Sequence, residues 1–367
     1  MARQRGGQSR VMLAASWHGP KDIRLEEIPT PHAPTGEDVL VEVSWCGICG
    51  TDLHEYLAGP IFIPPSLEQV VLGHEFSARV AAIGDRVDSA AVGDRVVVIP
   101  HRVCRECHFC RRLMFQHCRN LELVGLTRNG AFARFTVARQ DQLVPLPDTI
   151  PDEFGALVEP LAVTFHGMRQ PGVYPGADIA IIGAGPIGLS AVAVARAVGL
   201  RSIIVVEMLP QRATIARQMG ADDVLDPREV DALDAIRGLT AGRGADITME
   251  CVGLSETMNL AIRAARPGGL ALLAGITEMP SDVDLNTAVR DEKEIRGCIG
   301  YFEGEFDAVI ELMASGRLDP SPLISRRLDL DRILGDGFDS LVRDRDSCIK
   351  VLVSPSTRHG AAGGRIE

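Results

Sequence analysis

Apolar residues fall into short runs over the first third of the chain. Residues 11–15, 39–43, 76–83, 95–99 and 132–137 read as strands and 143–146 is strand-like, with Gly84-Asp85 and Gly93-Asp94 as turn signals between them. At residues 152–168 the spacing becomes helical. Pro171-Gly172 and Pro175-Gly176 then mark the passage into a second domain. From residue 178 to about 300, strands at 178–182, 202–206, 222–224, 245–251 and 269–274 alternate with helices at 189–198, 212–219, 230–240 and 257–265. That alternation predicts a parallel sheet wrapped by helices. A helix at 306–315 and a strand at 348–353 follow, and this segment is expected to return to the first domain. Residues 1–10 and 354–367 read as loose termini. The expected fold class is α/β: a β-rich domain of residues 1–166 and 301–367, and a doubly wound parallel-sheet domain of residues 167–300.

One turn organises the second domain. The run Asp178-Ile179-Ala180-Ile181-Ile182 ends in Gly183-Ala184-Gly185-Pro186-Ile187-Gly188, a GxGxxG that opens a helix. Gly183 allows the tight turn, Gly185 lets backbone approach a pyrophosphate, and Gly188 lets the helix pack on the sheet. The helix N-terminus, with Pro186 and Ile187 in its first turn, offers unpaired N–H groups to the phosphates. Glu207 ends the next strand, where an acid meets the adenosine ribose. GxGxxG alone is only a tight turn; between a strand and a helix, with an acid after the second strand, it is a dinucleotide site.

Composition narrows the chemistry. The chain has 367 residues, 46% of them apolar, which is enough for about two domains. A net charge of −11 argues against nucleic-acid or anionic-membrane partners and leaves a small molecule as the partner. No run of about 18 apolar residues suggests a membrane span, and residues 11–15 are too short for a signal-peptide core. The nine cysteines then indicate a reducing, cytoplasmic setting and metal ligation rather than disulfides. The three lysines, Lys21, Lys293 and Lys350, lie far from the glycine turn, which excludes a P-loop of GxxxxGK type. Tyr56, Tyr174 and Tyr301 are not followed by lysine four residues on, so the Tyr-xxx-Lys pair of short-chain dehydrogenases is absent.

Two sets of metal-ligating residues stand out. Cys104, Cys107, Cys110 and Cys118 form Cx2Cx2Cx7C, four soft thiolates within one loop. They can close a tetrahedral shell around zinc, and a closed shell is structural. The second set is dispersed: Cys49 in CGICGTDLH, His74 and Glu75 in GHE, and Glu159 in LVEPLAV. Singly, each could be a core or turn residue. Together they offer one sulfur, one nitrogen and two carboxylates, which suits a zinc site that keeps room for substrate.

GICGTDLH, GHE, the four-cysteine loop, LVEPLAV and GAGPIG, in this order, resemble the zinc-dependent medium-chain alcohol dehydrogenases from about Val11 to Pro355. His54-Glu55-Tyr56-Leu57-Ala58-Gly59-Pro60-Ile61-Phe62-Ile63-Pro64 is similar to the (R,R)-2,3-butanediol dehydrogenase branch. The resemblance implies a GroES-like catalytic domain and a Rossmann NAD-binding domain. It implies two zinc ions per chain: Cys49, His74 and Glu159 on the catalytic one with Glu75 beside it as an outer or alternate ligand, and the four cysteines on the other. Thr51 would take the substrate hydroxyl proton and His54 would pass it on. Val163, Val252, Gly253 and Gly275 would pass the nicotinamide. Leu53, Tyr56, Phe62 and Phe115 are candidates for the apolar lining.

The implied activity is oxidation of a secondary alcohol, vicinal diol or polyol to the ketone, and the reverse, with 2,3-butanediol and acetoin as the model pair. Threonine 3-dehydrogenase and sorbitol-type polyol dehydrogenase use the same machinery, and a silent NAD(H)-binding protein would have lost ligands that are all present here. There are departures. Residues 65–72 are shorter than in the butanediol branch, and Ala131 stands where glycine is usual. Both bear on the substrate entrance. Arg212 could lie on the adenosine or meet a 2′-phosphate; Glu207 would repel that phosphate, which favours NAD. The family also implies a homotetramer or homodimer, for which a strand edge near residues 271–275 is the expected contact.

Overall fold

The computed structural model describes residues 11–277, 280–302, 304–344 and 346–356. The termini expected to be loose, 1–10 and 357–367, lie outside the described residues.

Six strands form one parallel sheet in the order Asp223–Leu225, Ser202–Val206, Asp178–Ile182, Ala245–Glu250, Ala265–Leu273 and Glu294–Gly297. The central strand Asp178–Ile182 is buried along its whole length. That is why its sequence is an unbroken apolar run rather than an alternation. Helices Pro186–Ala197, Pro210–Gln218, Ala232–Leu239 and Ser255–Ala264 connect the strands. Strand order reverses at Asp178–Ile182, so a crevice opens at the carboxyl ends of that strand and Ala245–Glu250. The glycine turn sits at this point. A Cβ on Gly188 would lie 1.9 Å from the carbonyl oxygen of Gly183, so helix Pro186–Ala197 reaches the sheet only with glycine there.

The other large sheet has seven strands: Leu143–Pro145, Arg95–Val98, Glu75–Ile83, Asp38–Gly47, Lys350–Ser354 and Ile324–Asp329 in order, with Phe135–Arg139 also paired to Asp38–Gly47. The C-terminal segment does return to the first domain. Lys350–Ser354 pairs antiparallel to Asp38–Gly47 and parallel to Ile324–Asp329. A smaller sheet joins Val11–Gly19 to Asp22–Pro29 and Val70–Val71.

The predicted elements form with ends shifted by a few residues. Apart from three two-residue strands, three strands escaped prediction, and they share a cause. Asp22–Pro29, Glu294–Gly297 and Ile324–Asp329 are only partly buried and carry charged residues, so they lack apolar contrast. One expectation is corrected as a result. The edge expected near residues 271–275 is covered, because Glu294–Gly297 pairs with Ala265–Leu273 and is itself the edge.

One core packs helix Val158–Met168 on one face of the parallel sheet, a separate cluster under helices Ala232–Leu239 and Ser255–Ala264 covers the other face, and a further core fills the β-rich part. The four-cysteine lobe has only a small cluster, Val103, Cys110, Phe115 and Cys118. So little apolar burial leaves the lobe dependent on its thiols.

Candidate active site

Helix Gly50–Ala58 starts from Cys49, whose Sγ accepts the Thr51 N–H at 3.4 Å. Asp52 closes the cap in return, its Oδ2 accepting the Cys49 N–H at 2.9 Å. The other Asp52 oxygen accepts the Gly73 N–H at 3.4 Å and lies 3.6 Å from His74 Nδ1. Asp52 is fully buried, so one carboxylate orients both the thiol segment and the imidazole. His74 and Cys49 are close enough for each to act on the other's ionisation.

Glu75 begins strand Glu75–Ile83 and turns away from that pair. Its oxygens accept from Lys350 Nζ at 2.8 and 2.7 Å, and the same ammonium donates to the Ile48 carbonyl at 3.2 Å. Glu159 is the second residue of helix Val158–Met168, buried and facing Tyr301. Tyr301 stacks on His101, with ring centroids 4.5 Å apart.

Burial, with the Glu75 charge adding to it, pushes the Cys49 thiol up. Burial opposes a charge on His74, but Asp52 and Cys49 outweigh it and hold the imidazole well above its ordinary value. Burial and then the Glu75 charge push Glu159 up to about 7. His101 goes the other way, to about 4, because burial and then the charge of His74 disfavour its cation. A buried thiol, an imidazole and a desolvated carboxylate on one wall make a donor set of the kind that a divalent cation relieves. Cys49, His74 and Glu159 are spread wider than the four cysteines, whose donor atoms alone among the described residues all lie within 4.8 Å of one another.

All three, with Thr51 and His54, line one cavity of about 360 Å³ between the two sheets. The opposite wall comes from the parallel-sheet side: Pro186 and Ile187 of the glycine turn, Val163 of helix Val158–Met168, and Val252 with Gly275. Gly253 lies behind that wall, where a Cβ would come within 2.5 Å of the Ile276 carbonyl oxygen. The buried Glu250 holds this region, its Oε1 accepting the N–H groups of Val252 at 2.7 Å and Gly253 at 2.8 Å. Glu207 ends strand Ser202–Val206 with its two oxygens accepting the Ala184 and Leu209 N–H groups, both at 2.8 Å. Arg212 Nη1 lies 3.7 Å from where a Cβ on Gly185 would stand, beside the turn.

Of the four apolar lining candidates only Phe62 lines the cavity. Leu53 and Tyr56 pack against the β-rich core, Tyr56 on Phe338 with centroids 5.4 Å apart, and Phe115 belongs to the cysteine lobe. Sequence reasoning missed Asp52, Glu250, His101, Tyr301 and Lys350. Asp52 had a signal, an acid three residues after a cap. Glu250 had one too, an acid at a strand end. The other three reach the cavity only through the tertiary fold.

The four cysteines fit a zinc ion. At a Zn–S distance of about 2.3 Å a tetrahedral shell has sulfur–sulfur edges of about 3.8 Å. Cys104 and Cys110 are 3.9 Å apart and Cys104 and Cys118 3.5 Å. Backbone N–H groups of Cys110 and Arg119 lower Cys107 to about 6, while burial and the neighbouring thiols push Cys110 up to about 12. Four thiols this close cannot all ionise without a cation.

Residues 35–148 match the alcohol dehydrogenase GroES-like domain, and residues 186–315 match the zinc-binding dehydrogenase family. An (R,R)-butanediol dehydrogenase of Neisseria gonorrhoeae is 35% identical over 94% of this chain and all of its own length. The crystal structure of 2R,3R-butanediol dehydrogenase from Bacillus subtilis superposes with a TM-score of 0.88 at 35% identity, covering 94% of this chain and 100% of that one. A Sinorhizobium meliloti 1021 protein thought to be a zinc-binding dehydrogenase, bound to NADP, gives a TM-score of 0.85 at 31% identity, with 94% and 100% coverage.

Cys107→Ser tests the lobe. The variant should lose one zinc of two and melt at lower temperature, because it opens a closed shell around a small core. Metal analysis beside a thermal melt checks this; two zincs and a wild-type melt would refute it.

Proposed function

This chain belongs to the zinc-dependent alcohol dehydrogenases, and we propose that it oxidises a secondary alcohol or vicinal diol, 2,3-butanediol-like, to the ketone with NAD, and catalyses the reverse reaction. One observation carries the reading: Cys49, Thr51, His54, His74 and Glu159 line the same cavity as Pro186 and Ile187 of the glycine turn.

In this proposal Cys49, His74 and Glu159 would hold zinc, which when bound supplies the Lewis acidity that lowers the pKa of a substrate hydroxyl. Bound nicotinamide dinucleotide supplies the hydride acceptor, or the donor in reverse. The residues of the chain do the rest. Thr51 takes the hydroxyl proton, and His54 carries it towards solvent. The backbone at Gly183, Gly185 and Gly188 cradles the pyrophosphate at the N-terminus of helix Pro186–Ala197. Glu207 keeps lone pairs for the ribose hydroxyls, with Arg212 alongside. Val163, Val252 and Gly275 close the nicotinamide end against water, with Gly253 supporting them.

We assign residues 1–166 and 301–367 to the catalytic domain and 167–300 to the NAD-binding domain, a division supported by the pairing of Lys350–Ser354 with Asp38–Gly47. A reducing, cytoplasmic setting agrees with nine cysteines that are all free. Among the described residues no helix is long and apolar enough to cross a membrane. A homodimer or homotetramer is proposed, since strand Glu294–Gly297 leaves an open edge beside exposed Leu285, Val289, Ile295 and Ile299. Light scattering should give a multiple of 39.5 kDa; the mass of one chain would contradict it.

Cofactor choice rests on Glu207. Wild type should favour NAD over NADP in kcat/KM, and Glu207→Ser should narrow the ratio by removing the charge that repels a 2′-phosphate. A native preference for NADP would sink this assignment.

The catalytic assignment makes a paired prediction. Cys49→Ala should lose the catalytic zinc and most activity while the cysteine lobe keeps its own. Thr51→Ala should keep both metals and bind NADH normally, yet lose turnover by ~10²–10⁴-fold, with Thr51→Ser largely restoring it. Zinc analysis beside kcat on 2,3-butanediol decides the matter. Full activity in Thr51→Ala would place the proton transfer elsewhere.

A further inference from the structure

The stretch from His54 to Pro64 contributes only its first residue to the chemistry above. Its second, Glu55, is fully buried. Its carboxylate is spent on backbone. Oε1 accepts the N–H groups of Ile61 at 3.2 Å, Phe62, and Ile63 at 3.1 Å, and Oε2 accepts Ile61 again at 3.0 Å. The Glu55 carbonyl is engaged too, by Trp17 Nε1 at 2.9 Å and the Gly59 N–H at 3.1 Å. Residues 59–63 therefore wrap one carboxylate at the end of helix Gly50–Ala58. A Cβ on Gly59 would lie 2.5 Å from both the Glu55 carbonyl oxygen and Oε2, so only glycine permits the wrap.

The wrapped loop has one side chain in the cavity. Ile63 is buried in the core and Ile61 is exposed, whereas Phe62 between them lines the cavity with Thr51 and His54. We propose that Glu55 is a positioning residue for substrate selection, whose carboxylate fixes the loop so that Phe62 forms a rigid wall limiting the bulk of the alcohol admitted. A charged acceptor holding several N–H groups is stronger than a neutral one. The loop cannot swing away without leaving a buried carboxylate unpaired, which is costly. Phe62, which also packs against the β-rich core, is thus held through its backbone as well. The inference rests on reading the cavity as the alcohol site.

The test compares kcat/KM for 2-butanol and the bulkier 4-methyl-2-pentanol in the zinc-loaded enzyme. Phe62→Ala should raise the bulky-to-small ratio about tenfold, the scale on which an apolar pocket discriminates. Glu55→Ala should shift it the same way, and so should Glu55→Asp, which withdraws the acceptor by one methylene and keeps the charge should the alanine variant fail to fold. Glu55→Gln retains one acceptor oxygen and should stay nearer wild type. In a Phe62→Ala background the Glu55 changes should add nothing further, and NADH affinity by fluorescence should be unchanged throughout. An unaltered ratio in Glu55→Asp, or an additive shift in the double variant, overturns the inference. A wild-type enzyme inactive on every secondary alcohol would overturn the functional reading instead.

Discussion

The ion pair between Lys350 and Glu75 joins the end of the chain to its beginning. Lys350 opens the last strand, Glu75 opens a strand of the first third, and both flank Asp38–Gly47. Gly47 lies opposite Glu75 in the ladder, and a Cβ there would stand 2.3 Å from Glu75 Oε2. The pair therefore fixes the register of three segments at once. Cys49 lies two residues beyond Gly47 and His74 one before Glu75, so the thiol and imidazole inherit that register. The ammonium stays charged although burial works against it, because Glu75 faces it. Removing either partner would strand a buried charge at a cost of about 3–5 kcal/mol.

The two sheets meet this arrangement from opposite sides. Helix Val158–Met168 carries Glu159 in its first turn and packs in the same core as the parallel sheet. The crevice at the strand-order reversal opens onto the wall that carries Cys49 and His74. Glu250, the last residue of its strand, and Glu207, the first beyond its own, accept backbone N–H groups from the loops that follow. Each carboxylate turns a strand end into a fixed loop, and the loop after Glu250 lines the cavity through Val252. The buried Asp52 does the same beside Cys49 and His74. Asp52, Glu250 and Glu55 hold backbone at three points around the cavity.

Legibility in the sequence followed the range of the contacts. The glycine turn and the four-cysteine loop are local, so their spacing carries their meaning. Cys49, His74 and Glu159 are separated; each alone was open to a bland reading, and it was their combined donor set, then the resemblance, that tied them together. Lys350 was visible only as one of three lysines, because its role depends on a strand that pairs with residues some three hundred positions earlier. Tyr301 and His101 are hidden for the same reason. Leu53 and Tyr56 misled in the opposite direction: a helix puts residues three apart on one face, so Thr51 and His54 reach the cavity while Leu53 and Tyr56 share another face and meet the core. The charged strand Glu294–Gly297 was unreadable because an exposed edge needs no apolar pattern, and missing it misplaced the edge of the sheet.

Two carboxylates stand near the Cys49 and His74 pair, and the ion pair separates their roles. Glu75 has both oxygens committed to Lys350, so a bond to a metal would cost it two charge-assisted hydrogen bonds. Glu159 has no such cation. Burial and the Glu75 charge push it up to about 7, which marks a carboxylate whose surroundings disfavour its ionised form. A divalent cation reverses that balance for Glu159 and offers Glu75 nothing it lacks. Bringing Glu75 onto the ion instead would leave Lys350 buried and unpaired. The ammonium thus occupies both oxygens of Glu75, which supports the proposed assignment of Glu159, carried by the helix, to the metal.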